Sequence, residues 1–114
     1  MSLEQADAEA GSVAVAPRVT LDDIKANIAT VNVFTAGAAA AALEQPANDA
    51  MNLLTICVLT TRNGFTVIGK SACASPENFN ADLGHKIAYE DAVSQLWGFM
   101  GYALRKAGRL GCAP

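Results

Sequence analysis

The dipeptide Asn63-Gly64 lies between two runs rich in β-branched residues, LLTICVLTTR before it and FTVIGKSACA after it. Asn-Gly tolerates positive φ at both central positions of a tight turn, so the segment predicts a β-hairpin. With a two-residue loop, Arg62 faces Phe65, Thr60 faces Val67, Val58 faces Gly69 and Ile56 faces Ser71, while Leu59 pairs with Ile68 on the other side. Apolar residues then occupy both faces of the ribbon. A lone hairpin is marginal in water, so one face is expected to pack on a helix and the other on more protein.

The helix is supplied downstream. Ser75-Pro76 reads as an N-cap and first-turn pair and Asn80 as an alternative N-cap, after which only Gly84, Gly98 and Gly101 interrupt a helical pattern running to about Arg109. Leu83, Ile87, Val93, Leu96, Trp97, Phe99, Met100 and Leu104 cover more of its circumference than one buried stripe needs. Upstream, Thr20 with Asp23 three residues on resembles a capping box, and Leu21, Ile24, Ile28 and Val31 follow at helical spacing, which predicts a short helix over 21–31. Val31 to Phe34 also has strand character, Ala38 to Leu43 favours helix with Gly37 as a separator, and Pro46, Asn48 and Asp49 mark a loop. The expected fold is α+β: an antiparallel hairpin or small sheet packed on a long C-terminal helix, with a short N-terminal helix. Residues 1–17 read as a flexible tail and 18–114 as a single domain.

A chain of 114 residues buries only about two-thirds of its unfolded surface. Of its apolar residues 23 are alanine, and only seven residues are aromatic. Self-association is the natural remedy. Residues 1–49 carry a charge of −5 and residues 50–114 a charge of +2, an excess too small for a duplex nucleic-acid binder. No apolar run reaches the roughly 18 residues of a membrane span, so no membrane partner is expected. The odd cysteine count, Cys57, Cys73 and Cys112, lacks metal-ligand spacing and reads as reduced thiols of a cytoplasmic protein, with neither metal nor cofactor.

Enzyme chemistry finds little support. The sole histidine, His85, stands beside Lys86 as an ordinary solvated helix residue, and Glu90 and Asp91 lie about 100° apart round a helix. Anion binding fares better. The helix start at Ser75 to Asn80 offers unpaired N–H groups, and Arg105 and Arg109 stand four apart on one face beside Lys106. Both features also have a plain structural reading, as a capping turn and as cations complementing a helix C-terminus. Phe65 and Phe79 supply flat faces beside which Asn78 can meet a base, although Phe65 also reads as a core residue.

The motifs N-G-F at 63–65, S-A-C-x-S-P-E-N-F at 71–79, G-x-K-I-A at 84–88 and W-x-x-x-G-Y-x-L-R at 97–105, with V-T-L-D-D-I near Thr20 and F-T-A at 34–36, together resemble a family of small phage proteins over roughly residues 18–106. That family is similar to the first type of phage Thoeris anti-defence protein, a sponge that sequesters cyclic ADP-ribose isomers made by bacterial TIR enzymes, some members also holding cyclic oligonucleotides. The resemblance implies homo-oligomers, from dimer up to hexamer, acting in the host cytoplasm with ligand pockets between subunits and no chemistry on the ligand. The expected ligand-binding residues are Phe65, Ser75, Asn78, Phe79, Arg105 and Arg109. Departures from the family fall at His85 and Tyr89, basic in many relatives, and at Gly98, proline in many. The rival reading is a structural or protein-interaction subunit of a phage.

Overall fold

The structure, a computed structural model, describes Leu3, Glu4, Asp7 and residues 18–111, with side chains to 108. Most of the segment read as a tail therefore lies outside the described residues, as does Cys112. The elements run α1 (Leu21–Asn27), β1 (Ile28–Thr35), α2 (Ala36–Ala42), α3 (Asp49–Asn52), β2 (Leu54–Thr61), β3 (Thr66–Ala72), a single 3-10 turn (Pro76–Asn78) and α4 (Ala81–Gly111). The three strands form one antiparallel sheet in the order β1-β2-β3.

The capping box at α1 forms as expected: Asp23 N–H donates to Thr20 Oγ1 at 3.1 Å and Thr20 N–H donates to the Asp23 carboxylate at 2.9 Å. The helix nevertheless stops at Asn27 instead of reaching residue 31. Ile28, Thr30, Val31 and Val33 are β-branched and find a partner in β2, so strand pairing overrides the helical spacing. Arg62 closes the junction, its N–H donating to the Asn27 carbonyl at 3.0 Å and its Nε–H to the Ala26 carbonyl, two groups the helix end leaves open. The expected strand-then-helix division is present, but its boundary falls at Thr35, and Gly37 lies just inside α2. A Cβ there would sit 1.8 Å from Asn52 Oδ1, so the glycine admits α3. Asn48, read as loop, caps α3 by accepting from Met51 N–H.

The hairpin exists, one register step away from the expected pairing. Leu59 pairs with Val67, Val58 with Ile68 and Thr55 with Ser71. The loop holds three residues: Thr61 N–H donates to the Phe65 carbonyl at 2.8 Å, Gly64 N–H to the Thr61 carbonyl at 3.0 Å, and Gly64 alone in the turn takes a positive φ, +85°. This is a type I turn closed by a glycine bulge. The Thr61 hydroxyl selects it, accepting from Phe65 N–H at 3.0 Å and donating to Asn63 Oδ1 at 2.5 Å. Gly64→Ala is expected to cost about 1 kcal/mol, because a Cβ disfavours the left-handed region. An unchanged urea midpoint would contradict the turn.

Register decides which face is which. Thr55, Cys57, Leu59 and Thr61 share one face with Val67 and Gly69 and are buried beneath α4. Leu59, Cys57 and Val67 there meet Leu21, Ile24, Val93 and Leu96 in one core cluster. The helix approaches to backbone contact, since a Cβ on Gly69 would lie 2.1 Å from the Ala88 carbonyl oxygen and 2.4 Å from Ala92 N. It also closes the outer edge of β3: Lys70 N–H donates to Asp91 at 2.9 Å, and Gln95 Nε2 donates to the Ile68 carbonyl at 2.8 Å. Trp97 Nε1 ties α4 to the Val19 carbonyl at 3.0 Å.

The opposite face, with Phe34, Ile56, Val58 and Ile68, contributes no residue to that cluster, and Ile68 is 59% exposed. Past Gly101, residues 102–108 of α4 are all exposed, Tyr102 at 71%. The molecule thus presents a sheet face on which these four apolar residues stand among Thr30, Asn32, Thr60, Thr66 and Lys70, and a projecting helical arm.

Asp7 and Asp23 make the N-terminal part of the fold sensitive to acid. Hydrogen bonding from the Arg18 side chain at 2.7 Å holds the Asp7 carboxyl below its ordinary value, helped by Leu21 N–H, and Thr20, first through its backbone N–H and then its hydroxyl, does the same for Asp23. Depressed folded-state pKa values give stability that is present above the unfolded value near 4 and lost as pH falls through the folded values. The urea midpoint is expected to drop below about pH 4. Asp7→Asn with Asp23→Asn is expected to flatten that drop; an identical acid limb would contradict the assignment.

Candidate functional site

Where β3 ends, the chain turns through Cys73 to Phe79 and enters α4. Asn80 caps the helix by accepting from Leu83 N–H at 3.0 Å, so of the two predicted caps Asn80 performs that role. Ser75 instead begins the 3-10 turn, its carbonyl accepting from Asn78 N–H at 3.2 Å and from the Cys73 thiol at 3.1 Å. The Ser75 hydroxyl bonds the Glu77 carboxylate, which that bond holds below its ordinary pKa.

Between this turn and the sheet lies a pocket of about 130 Å³. Leu53, Leu83, Ile87 and the Phe79 ring form its apolar wall. Thr55, Ser71, Cys73 and Asn78 supply polar atoms. Among the described residues no Lys, Arg, His, Asp or Glu lines it. Ligand pockets for drug-sized molecules run to about 300–1,000 Å³, so this one admits a ring and not a whole nucleotide.

The six residues expected to bind ligand do not converge within one chain. Asn78 and Phe79 share the pocket and Ser75 stands beside it in the same turn. Phe65 is at the far end of β3, roughly 20 Å away by strand rise, where it meets Phe99 edge to face with ring centroids 5.4 Å apart. Arg105 is exposed on the arm, about 36 Å along α4 from its start. Arg109 lies in the helix further on, its side chain outside the described atoms. His85 is exposed, and the neighbouring Lys86 stands 3.9 Å from Glu90. Among the described residues no cluster has the makings of a metal site and no helix is long and apolar enough to cross a membrane.

Sequence reasoning missed Thr55 and Ser71. With the hairpin set one residue off, they fell on opposite faces. The inward positions of β2 read Thr55, Cys57, Leu59 and Thr61, and nothing in the sequence sets Thr55 apart from Thr61.

These features define a class: a small α+β protein whose three-stranded antiparallel sheet is covered on one face by a long helix, with an uncharged pocket where that helix begins. Within it, the chain belongs to the Phage protein (N4 Gp49/phage Sf6 gene 66) family, whose profile matches residues 19–107. No curated protein and no solved structure matches it.

Proposed function

We propose that this phage-family protein binds and sequesters a small anionic nucleotide, of the cyclic ADP-ribose kind made by TIR enzymes, without cleaving it. The observation that carries the reading is the pocket: its size suits one ring, Asn78 and Phe79 stand at its wall, and its lining has no acid–base pair to act on a bound molecule. Diphosphate would need cations, and Arg105 is too far along the same helix to reach it. A second copy is the natural source. The exposed Ile68 and Phe34 on the outer sheet face and the exposed arm beyond Gly101 support a reading in which copies join through these surfaces and a neighbour's Arg105, and Arg109 with it, would come near the pocket. Charge-assisted hydrogen bonds from the guanidinium groups would then hold the phosphates. Such a protein would work in the host cytoplasm.

The experiment mixes purified protein with glycocyclic ADP-ribose, removes the unbound fraction, denatures the protein by heat and assays what is released. Intact ligand is the expected result, with a melting temperature that rises with ligand concentration by mass action. Ligand destroyed on mixing would make the protein an enzyme. Absence of uptake would favour the second reading, a protein-interaction subunit docking through the sheet face, which the exposure of Phe34 and Ile68 supports.

A further inference from the structure

Two threonines of β2 are buried beneath α4, and their hydroxyls fare differently. Thr61, 2% exposed, uses its hydroxyl fully, bonding Asn63, the Phe65 carbonyl and Phe65 N–H. Thr55, 1% exposed at the other end of the strand, makes no side-chain hydrogen bond among the described residues. Its oxygen is not sealed in: the residue lines the pocket at the start of α4, and no wholly buried polar side-chain atom lacks a partner among the described residues. Directly across the strand pair, Ser71 lines the same pocket, and its side chain also makes no hydrogen bond among the described residues. Gly84 keeps the space above them open, since a Cβ there would come within 2.9 Å of Thr55 Oγ1.

A strand position on a core face is ordinarily filled by an apolar residue, yet here it carries a hydroxyl that has no partner among the described residues and borders the pocket. We propose that Thr55 and Ser71 form the hydrogen-bonding floor of a site for a neutral planar heterocycle of nucleobase size. Each hydroxyl can donate or accept, so the pair can meet the mixed donor and acceptor edge of a base. Phe79 and the aliphatic wall enclose the ring, and the uncharged lining disfavours a charged group inside. This inference deepens the sequestration reading by naming the residues that grip the base, and it rests on that reading for the ligand class.

Adenine, which lacks phosphates, is the probe. Titrated into the 15N-labelled full chain, it is expected to shift the amide signals of Thr55, Ser71, Asn78 and Gly84. Thr55→Val keeps the shape and removes the hydroxyl, so it is expected to melt at the same temperature or higher while binding adenine at least tenfold more weakly. Ser71→Ala is expected to weaken binding several-fold and serves if the valine variant folds poorly. Shifts confined to other residues, or undiminished binding by both variants, would overturn the assignment. The two readings fail separately. Adenine bound in the pocket with no capture of glycocyclic ADP-ribose would leave the pocket standing and end sequestration, whereas capture undiminished in Thr55→Val would do the reverse.

Discussion

Gly69→Ala is expected to lower the melting temperature by more than 10 °C. The new methyl group would sit 2.1 Å from the Ala88 carbonyl oxygen and 2.4 Å from Ala92 N, both backbone atoms of α4 that cannot turn aside as a flexible side chain would. The helix must lift from β3, and the lift would strain the bonds from Asp91 and Gln95 that close the strand edge. Overpacking of this kind costs about 3 kcal/mol, and a domain of this size loses about 4–8 °C per kcal/mol. Gly98→Ala is the control, since its Cβ would meet open space. In a helix interior that change is expected to stabilise by up to about 1 kcal/mol. Equal behaviour of the two variants in thermal unfolding would contradict the contact between helix and sheet.

Leu59→Ala is the second large effect. Leu59 is completely buried at the centre of β2, on the face where α1 and α4 meet the sheet, and it belongs to the same cluster as Ile24, Val93 and Leu96. Truncating such a leucine costs about 2–5 kcal/mol, a large part of the roughly 5–15 kcal/mol that holds a domain folded. The variant is expected to unfold at a much lower urea concentration, or to be unfolded already at 37 °C. Ile68→Ala makes the comparison informative, because within one chain Ile68 is exposed. It is expected to cost little in the isolated protomer and to weaken association instead. A loss smaller for Leu59→Ala than for Ile68→Ala in dilute protein would contradict the assignment of the faces.

Much of the architecture was legible, because the long helix, the capping box and the hairpin are each written in local chemistry. The register was not. Asn-Gly serves a two-residue turn with both positions at positive φ, but it also serves a three-residue turn in which only Gly64 needs that conformation. The choice rests on the Thr61 hydroxyl, a contact that spacing alone does not reveal. The end of α1 was hidden for a related reason: Ile28 and Val31 satisfy helical spacing, and only the presence of β2 as a partner makes them strand. At the site, the turn residues Asn78 and Phe79 could be read from the chain, since loop positions advertise themselves. Thr55 and Ser71 could not, because a strand hydroxyl is remarkable only when its register and its lack of a partner are known.

The slip also changes the ground for expecting self-association. Apolar residues do face both ways, yet they are Ile56, Val58, Ile68 and Phe34 on one side and Cys57, Leu59 and Val67 on the other, a division set by the observed pairing. Sedimentation velocity over a range of micromolar concentrations measures the consequence most directly. Dimers or larger assemblies are expected, losing mass in Ile68→Lys. A folded, monodisperse species of 11.8 kDa at every concentration would contradict the proposal that neighbouring copies complete the pocket.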